Sequence, residues 1–340
     1  MEIIVPCAGL STRFPNMRPK YLLTDYSGKL MIERAIGNFL DLHNITIVIL
    51  KEHDEKFKAK QKLQDAFGES VNVVVLENPT TGPADTAFHA ISQNKNINLN
   101  EPLLIKDCDG FYESPMINGN AIYVSKLSKN KDIRNAPAKS YTITNEQNII
   151  TTVIEKQIVS DSFCVGGYQF ETVNLFFEAC AKLKLTSNTE LFVSNVIDYL
   201  ISNGNVFIES EVENFVDVGT SDDWFKYNNK PTYFCDIDGT IVKTKHFHYE
   251  QYEPLVNNVR ALLEKQKNGC KFIFCTARPQ KYETLTRNIL NEMGFKNYTL
   301  IMEVHHSKRV LINDYATTNP YPSAIAINLK RDSDNLGELL

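Results

Sequence analysis

Short apolar runs and longer amphipathic stretches alternate along most of this chain. Residues 3–6, 45–50, 71–76 and 103–105 are runs rich in Ile, Val and Leu, whereas 30–42 and 52–66 carry apolar residues at helical spacing. Strands that are apolar on both faces and separated by helices predict an α/β sheet covered on two sides. The rhythm holds to about residue 227. There Tyr227-Asn-Asn-Lys-Pro-Thr interrupts it, and a Pro after a Lys reads as a break. From Tyr233 the pattern restarts, with further strands expected at 272–275, 310–312 and 324–329. At 340 residues the chain exceeds what one core usually serves. Two domains are therefore expected, residues 1–228 and 229–340, each a doubly wound α/β fold.

Composition acts mainly by exclusion. Hydrophobic residues make up 43% and charged residues 23%, an ordinary globular balance. The formal net charge of −5 argues against a nucleic-acid partner, which favours a basic surface. No apolar run approaches the roughly 18 residues of a membrane span. The start, Met1-Glu-Ile-Ile-Val, lacks the basic residues and long apolar stretch of a signal peptide. Seven scattered cysteines, none in a Cys-x-x-Cys pair, fit reduced thiols in a cytoplasm. A cytoplasmic protein with no membrane partner is the expectation, and a homo-oligomer stays open.

The first strand runs into Pro6-Cys-Ala-Gly-Leu-Ser-Thr-Arg-Phe, followed by Arg18-Pro-Lys20. A small-residue turn after a buried strand (Ala8, Gly9, Ser11, Thr12) lets backbone N–H groups approach a polyphosphate. Arg13 and Lys20 would add fixed positive charge where negative charge builds up on an α-phosphate and its leaving pyrophosphate. Taken alone, the segment reads equally well as a plain strand and turn with two solvated basic residues.

The segment resembles the signature of the sugar-phosphate nucleotidylyltransferases, Gly-x-x-(Ser/Thr)-Arg followed by Pro-Lys. Other stretches match that family in order: Asn78-Pro-Thr-Thr-Gly-Pro-Ala-Asp-Thr-Ala, Leu103-Leu-Ile-Lys-Asp-Cys-Asp109-Gly, Val153-Ile-Glu155-Lys156, Gly166-Gly-Tyr-Gln-Phe and Phe215-Val-Asp217-Val-Gly-Thr. The resemblance covers roughly residues 1–226. It implies a Rossmann-like, GT-A-like domain in which Gly82 and Asp85 lie where the family contacts base and ribose. By the same token Glu155 holds sugar hydroxyls and Lys156 the sugar phosphate, and Gly167, on the strand that follows, belongs to the same sugar-phosphate site. Asp109 and Asp217 would bind magnesium, a hard cation that prefers carboxylate and phosphate oxygen, with Asp107 behind them. In-line attack by a phosphate oxygen on the α-phosphorus then needs no protein nucleophile. Leu10 and Tyr21 depart from the family's pattern and would reshape the triphosphate or base pocket. CTP is favoured, then UTP, with purine nucleotides behind.

The second domain opens on Asp236-Ile-Asp238-Gly-Thr240 after a strand. Acids at i and i+2 on a strand end project to the same side. One can attack phosphorus while the other moves a proton, and Gly239 permits the turn that aims them. An acidic hairpin turn is the bland alternative. The motif is similar to that of the haloacid dehalogenase superfamily, and Thr276, Lys308 and Asp314 stand at the following stations. The resemblance implies Asp236 as nucleophile, Asp238 as general acid/base, and Thr276 and Lys308 on the phosphate, with Arg309 as a rival to Lys308. Magnesium would be held by Asp236, the Asp238 carbonyl and Asp314. Asn313 stands where relatives place a second acid. The interval from Thr240 to Thr276 leaves no room for a cap domain, so a capless Rossmannoid fold is expected.

His246, His248, His305 and His306 invite a zinc reading but have neither thiolates nor a third His at metal spacing. Residues 51–60 alternate in charge and read as a solvated helix face, and Trp224 as a packing anchor. The favoured reading is a bifunctional enzyme of surface-polysaccharide (capsule) precursor synthesis. Its N-terminal domain would join an NTP to a sugar- or polyol-phosphate, and its C-terminal domain would hydrolyse a phosphate monoester, both with Mg2+. The alternatives are a nucleotidylyltransferase with a regulatory or inactive second domain, and a binding protein with both sites inactive.

Overall fold

Ile3, Ile4 and Val5 are fully buried on β1 (Glu2–Pro6), at the middle of the N-terminal sheet. The computed structural model describes residues 1–40, 44–114, 117–131, 133, 135–186, 190–245, 249–315 and 324–340. It separates into two compact units, Met1–Phe225 and Lys226–Leu340.

In the first unit, β2 (Asn44–Leu50), β3 (Val71–Leu76), β4 (Leu103–Lys106), β6 (Ala121–Lys126), β9 (Ser162–Phe170) and β10 (Ile208–Glu211) join β1 in the order β10-β6-β9-β4-β1-β2-β3. β7 (Ser140–Thr144) and β8 (Ile150–Glu155) extend this sheet through β9. β1 runs parallel to β2 and β4, while β9 is antiparallel to β4 and β6. A separate ribbon pairs β5 (Gly110–Glu113) with β11 (Glu213–Asp217).

Helices follow the strands: α1 (Met31–Ile36), α2 (Lys51–Phe57), α3 (Ala59–Phe67), α4 (Pro83–Gln93), α5 (Val173–Thr186), α6 (Val193–Ser202) and α7 (Ser221–Asn228). Ala84, Ala87 and Ala90 are fully buried on α4. Their small side chains on one helical face let α4 lie close to the sheet. The single helix expected at 52–66 is two, α2 and α3, because Lys58 turns to φ 54° and closes α2 through its N–H to the Asp54 carbonyl. The Asp54 carboxylate then accepts the Lys60 N–H at 2.8 Å, starting α3. The helix expected at 30–42 stops at Ile36 and passes into a 3-10 turn. Trp224 is buried, as an anchor would be.

The second unit is a parallel sheet, β12 (Thr232–Asp236), β13 (Lys271–Cys275) and β14 (Thr299–Ile301) in that order, with α8 (Val256–Lys267) and α9 (Glu283–Glu292). Its core gathers Ile237, Ile241, Leu262, Phe272, Phe274, Leu290 and Phe295. The strands expected at 310–312 and 324–329 do not form: Val310 is 76% and Ile312 89% exposed. Three consecutive apolar residues carry no periodicity, and a strand needs a neighbour to satisfy its backbone groups. No described strand pairs with either stretch.

Candidate functional site

The C-terminal ends of β1 and β4 open into a cavity of about 440 Å3 in the first unit. Gly9, Ser11, Thr12, Arg13, Lys20, Gly82, Asp109, Glu155, Lys156 and Asp217 line it. Ser11 adopts φ 52°, and its hydroxyl accepts the Lys20 N–H at 3.2 Å, folding the glycine turn back over the Pro-Lys segment. Arg13 stands exposed at the lip.

The β5–β11 ribbon brings two acids together. Gly110 pairs with Asp217 across it, so Asp109, one residue earlier, stands beside Asp217. The Asp109 carbonyl accepts the Val218 N–H at 3.0 Å. Oδ1 of Asp217 and Oδ2 of Asp109 lie 3.1 and 3.2 Å from the point where a Cβ on Gly219 would sit. The carboxylates thus converge on one small space. Two hard oxygen donors in a cavity open to phosphate suit magnesium, which commonly takes one or two carboxylates plus substrate oxygens.

Lysines meet both acids. Lys20 Nζ is 2.5 Å from Asp109 Oδ2, and Lys139 Nζ is 2.5 Å from Asp217 Oδ2. Burial opposes the charge on both members of the first pair, yet their mutual attraction outweighs it, raising Lys20 and holding Asp109 well below the usual carboxylate range. Asp107 is pushed the other way, by burial and then by the Asp109 charge. Lys106, fully buried below, is brought down to about 8 by desolvation. Its ammonium donates to the carbonyls of Asp107 and Gly110 at 2.7 and 2.6 Å.

Gly166 is required here. It adopts φ +78°, and a Cβ would meet Asp107 Oδ2 at 2.5 Å. Gly166→Ala is expected to destabilise the first unit by about 2–4 kcal/mol, combining left-handed strain with overpacking. A urea midpoint for the variant equal to that of the wild type would contradict this.

On the opposite wall, Glu155 ends β8 and accepts hydrogen bonds from Ser140, at 2.6 Å, and from Ser194. Lys156 adopts φ 57° and places its ammonium 4.7 Å from the Phe192 ring and 3.9 Å from Glu190. Three residues expected on substrate stand elsewhere. Asp85 turns away from the cavity to accept the Thr81 N–H at 2.9 Å and pair with Lys184, so it secures the start of α4. Gly167 is absent from the lining and leaves room for Tyr112, whose hydroxyl would be 2.0 Å from a Cβ there. Ala8 is buried beneath the turn. Conversely, Lys139 belongs to no motif, and only its charge within a polar stretch hinted at it.

In the second unit, Asp236 ends β12, and its carboxylate accepts from Thr240 Oγ1 at 3.3 Å and Arg309 Nη2 at 2.9 Å. Its pKa is raised, chiefly by burial, against the pull of Arg309. Gly239 takes φ +88° and turns the chain after Asp238. Asp238 is gripped from the next strand end. Thr276 Oγ1 donates at 3.1 Å, Arg278 Nε at 3.0 and 3.2 Å, and Arg278 Nη2 at 2.8 Å. Arg278 is only 2% exposed and also donates to Thr286 at 3.1 Å. A buried arginine deprived of its acid, or the reverse, is costly. Arg278→Met is expected to lower the stability of this unit by about 3 kcal/mol, read as a shifted denaturation midpoint; no shift would show the clamp to be dispensable.

Three expectations at this site are corrected. Arg309, not Lys308, reaches Asp236, and Lys308 is exposed. Asp314 lies exposed on an irregular stretch, because the strand meant to carry it to the site does not form. Among the described residues no group of three or more His, Cys, Asp or Glu side chains could hold a metal. The side chains of Asp236, Asp238 and Asp314 are therefore not gathered into one group, and the expected set of Asp236, the Asp238 carbonyl and Asp314 lacks the last of these. His246 and His248 lie outside the described residues, while His305 and His306 are described. Arg278 was not singled out from sequence, although it stands two residues after Thr276.

Residues 233–332 match the family of haloacid dehalogenase-like hydrolases. The N-terminal region has the fold of a nucleoside-diphosphate-sugar pyrophosphorylase from Vibrio cholerae RC9, with a TM-score of 0.56 at 16% identity over 66% of this chain and 98% of that one. It is also similar to the inositol-1-phosphate CTP transferase from T. maritima, with a TM-score of 0.52 at 16% identity over 65% of this chain and 90% of that one. No curated protein matches the sequence. The chain thus couples a nucleotidyltransferase-like α/β fold to a haloacid dehalogenase-like hydrolase domain. Among the described residues no helix is long and apolar enough to cross a membrane.

Proposed function

We propose that the first unit transfers a nucleotidyl group from an NTP to a sugar- or polyol-phosphate, and that the second hydrolyses a phosphate monoester. The observation that carries the first half is the meeting of Asp109 and Asp217 in a cavity also lined by Arg13, Lys20 and Lys156. An oxygen of the acceptor phosphate forms a bond to the α-phosphorus while the α–β anhydride bond breaks and pyrophosphate leaves. Asp109 and Asp217 would hold magnesium, which supplies charge neutralisation at the triphosphate. Arg13 and Lys20 offset the charge on the departing pyrophosphate. Lys156 binds the acceptor phosphate, and Glu155, oriented by Ser140 and Ser194, holds its hydroxyls.

CTP is the preferred donor, ahead of UTP, and the products feed capsule or other surface-polysaccharide synthesis in the cytoplasm. In this reading the second domain begins at residue 229, close to the division between the two compact units at Lys226. In the second unit Asp236 is the nucleophile, Arg309 the cation beside it, and Asp238 the proton carrier, held by Arg278.

A second reading, a nucleotidylyltransferase with a regulatory C-terminal domain, is favoured by one observation: both Asp236 and Asp238 are engaged by arginines, and Asp314 stands apart. Purified protein given each NTP, magnesium and a panel of sugar- and polyol-phosphates should release pyrophosphate with at least one pair. Silence across the panel would sink the first half. Phosphate release from a panel of monoesters separates the two readings of the second.

A further inference from the structure

Three acids and three lysines surround the floor of the first cavity: Asp107, Asp109 and Asp217 against Lys20, Lys106 and Lys139. Lys106 lies beneath the floor, on backbone carbonyls. Lys20 and Lys139 each sit on one of the two converging carboxylates. The Lys139–Asp217 pair is only 21% and 13% exposed, so solvent screens it little. The Lys139 carbonyl also accepts the Lys156 N–H at 3.0 Å, which ties it to the acceptor wall.

We infer that Lys139 is a resident counter-ion of the Asp109–Asp217 pair, surrendering Asp217 to a divalent cation only when phosphate is present to receive its ammonium group. The inference rests on the reading of those two acids as metal ligands. With Lys20 on Asp109 and Lys139 on Asp217, the two negative charges are already balanced. A divalent cation arriving alone has to break both ion pairs and leave two ammonium groups beside it, with Arg13 and Lys156 on the same walls. A triphosphate and an acceptor phosphate reverse that balance, since their oxygens give both ammonium groups new charge-assisted partners. Lys139 then stands beside Lys156, so that two cations rather than one face the acceptor phosphate. This makes Lys139 a positioning residue for the metal-bound state and a determinant of binding order: cation together with nucleotide, not before it.

The test uses Mn2+ as the probe, titrated into the whole protein without nucleotide and followed by the paramagnetic resonance of the free ion. Removing a contacting positive charge in Lys139→Met should tighten Mn2+ binding about tenfold. Lys139→Arg, which keeps the charge, should stay within about twofold of wild type, as should Lys156→Met, whose ammonium lines the cavity without touching either acid. Unchanged affinity in Lys139→Met overturns the proposal, and so does equal tightening in Lys156→Met. Asp217→Asn should abolish Mn2+ binding in both the wild-type and Lys139→Met proteins. If it does not, the metal reading of Asp217 fails first, which separates that failure from the failure of Lys139. Far-UV circular dichroism establishes that each variant is folded before titration, and Lys139→Gln, which also removes the charge and should tighten Mn2+ binding alike, takes its place should Lys139→Met not fold.

Discussion

Asp109→Asn is expected to lower pyrophosphate release by about 10³-fold while leaving phosphate-ester hydrolysis by the C-terminal domain unchanged. The amide keeps the shape of the side chain and removes the charge. Lys20 then loses the partner that holds it 2.5 Å away, and Asp217 is left as a single carboxylate where two converge. Lys20 retains some solvent access, with 28% of its side chain exposed, so the fold should survive the loss. Asp217→Asn should behave alike. Because both acids would serve one ion, the double variant should be scarcely worse than either single one, as groups acting as a unit are non-additive. Pyrophosphate release measured under saturating substrates decides the matter. A double variant whose loss equals the product of the single losses would mean that the two acids do separate work.

The α/β character of both units could be read from periodicity, because buried parallel strands leave nearly continuous apolar runs such as 45–50 and 71–76. Where the pattern misled, a local feature decided. Lys58 breaks the expected helix through a left-handed residue and a capping Asp54, neither of which changes the apolar spacing. The stretch 310–312 is apolar but without a partner strand among the described residues, and pairing is a long-range fact that no short window contains. The cavity followed a similar division. Asp109 and Asp217 lie at strand ends and Lys20 opens a 3-10 turn, all three inside recognisable motifs, and the structure brings them together. Lys139 enters the same cavity from an irregular polar stretch, so its placement depends on the sheet around it. Asp85 shows the converse: an acid inside a motif, yet used to hold Thr81 and Lys184. Position in a motif limits what a residue can do, but its hydrogen-bond partners select among those roles.

Asp236→Asn is the decisive variant for the second unit, and it is expected to reduce phosphate release by about 10³-fold or more without altering pyrophosphate release. An amide oxygen is a far poorer nucleophile than a carboxylate, and no other described acid stands at that position: Asp238 is held by three hydrogen bonds from Arg278 and one from Thr276. Thr240 and Arg309 donate to the two carboxylate oxygens of Asp236, at 3.3 and 2.9 Å; in the amide Arg309 can keep donating to the single oxygen while the Thr240 hydroxyl accepts from the NH2 group. The variant should therefore fold, and the loss would be chemical. Asp238→Asn should be milder where the leaving group is acidic and severe where it is an alkoxide, since only the latter needs a proton. Phosphate release against a series of esters of graded leaving-group acidity measures both variants. If Asp236→Asn retains more than about a tenth of wild-type turnover, attack by Asp236 is excluded. If the wild type itself turns over no ester, the arginines on Asp236 and Asp238 mark a closed site, and the second unit serves the first by regulating it.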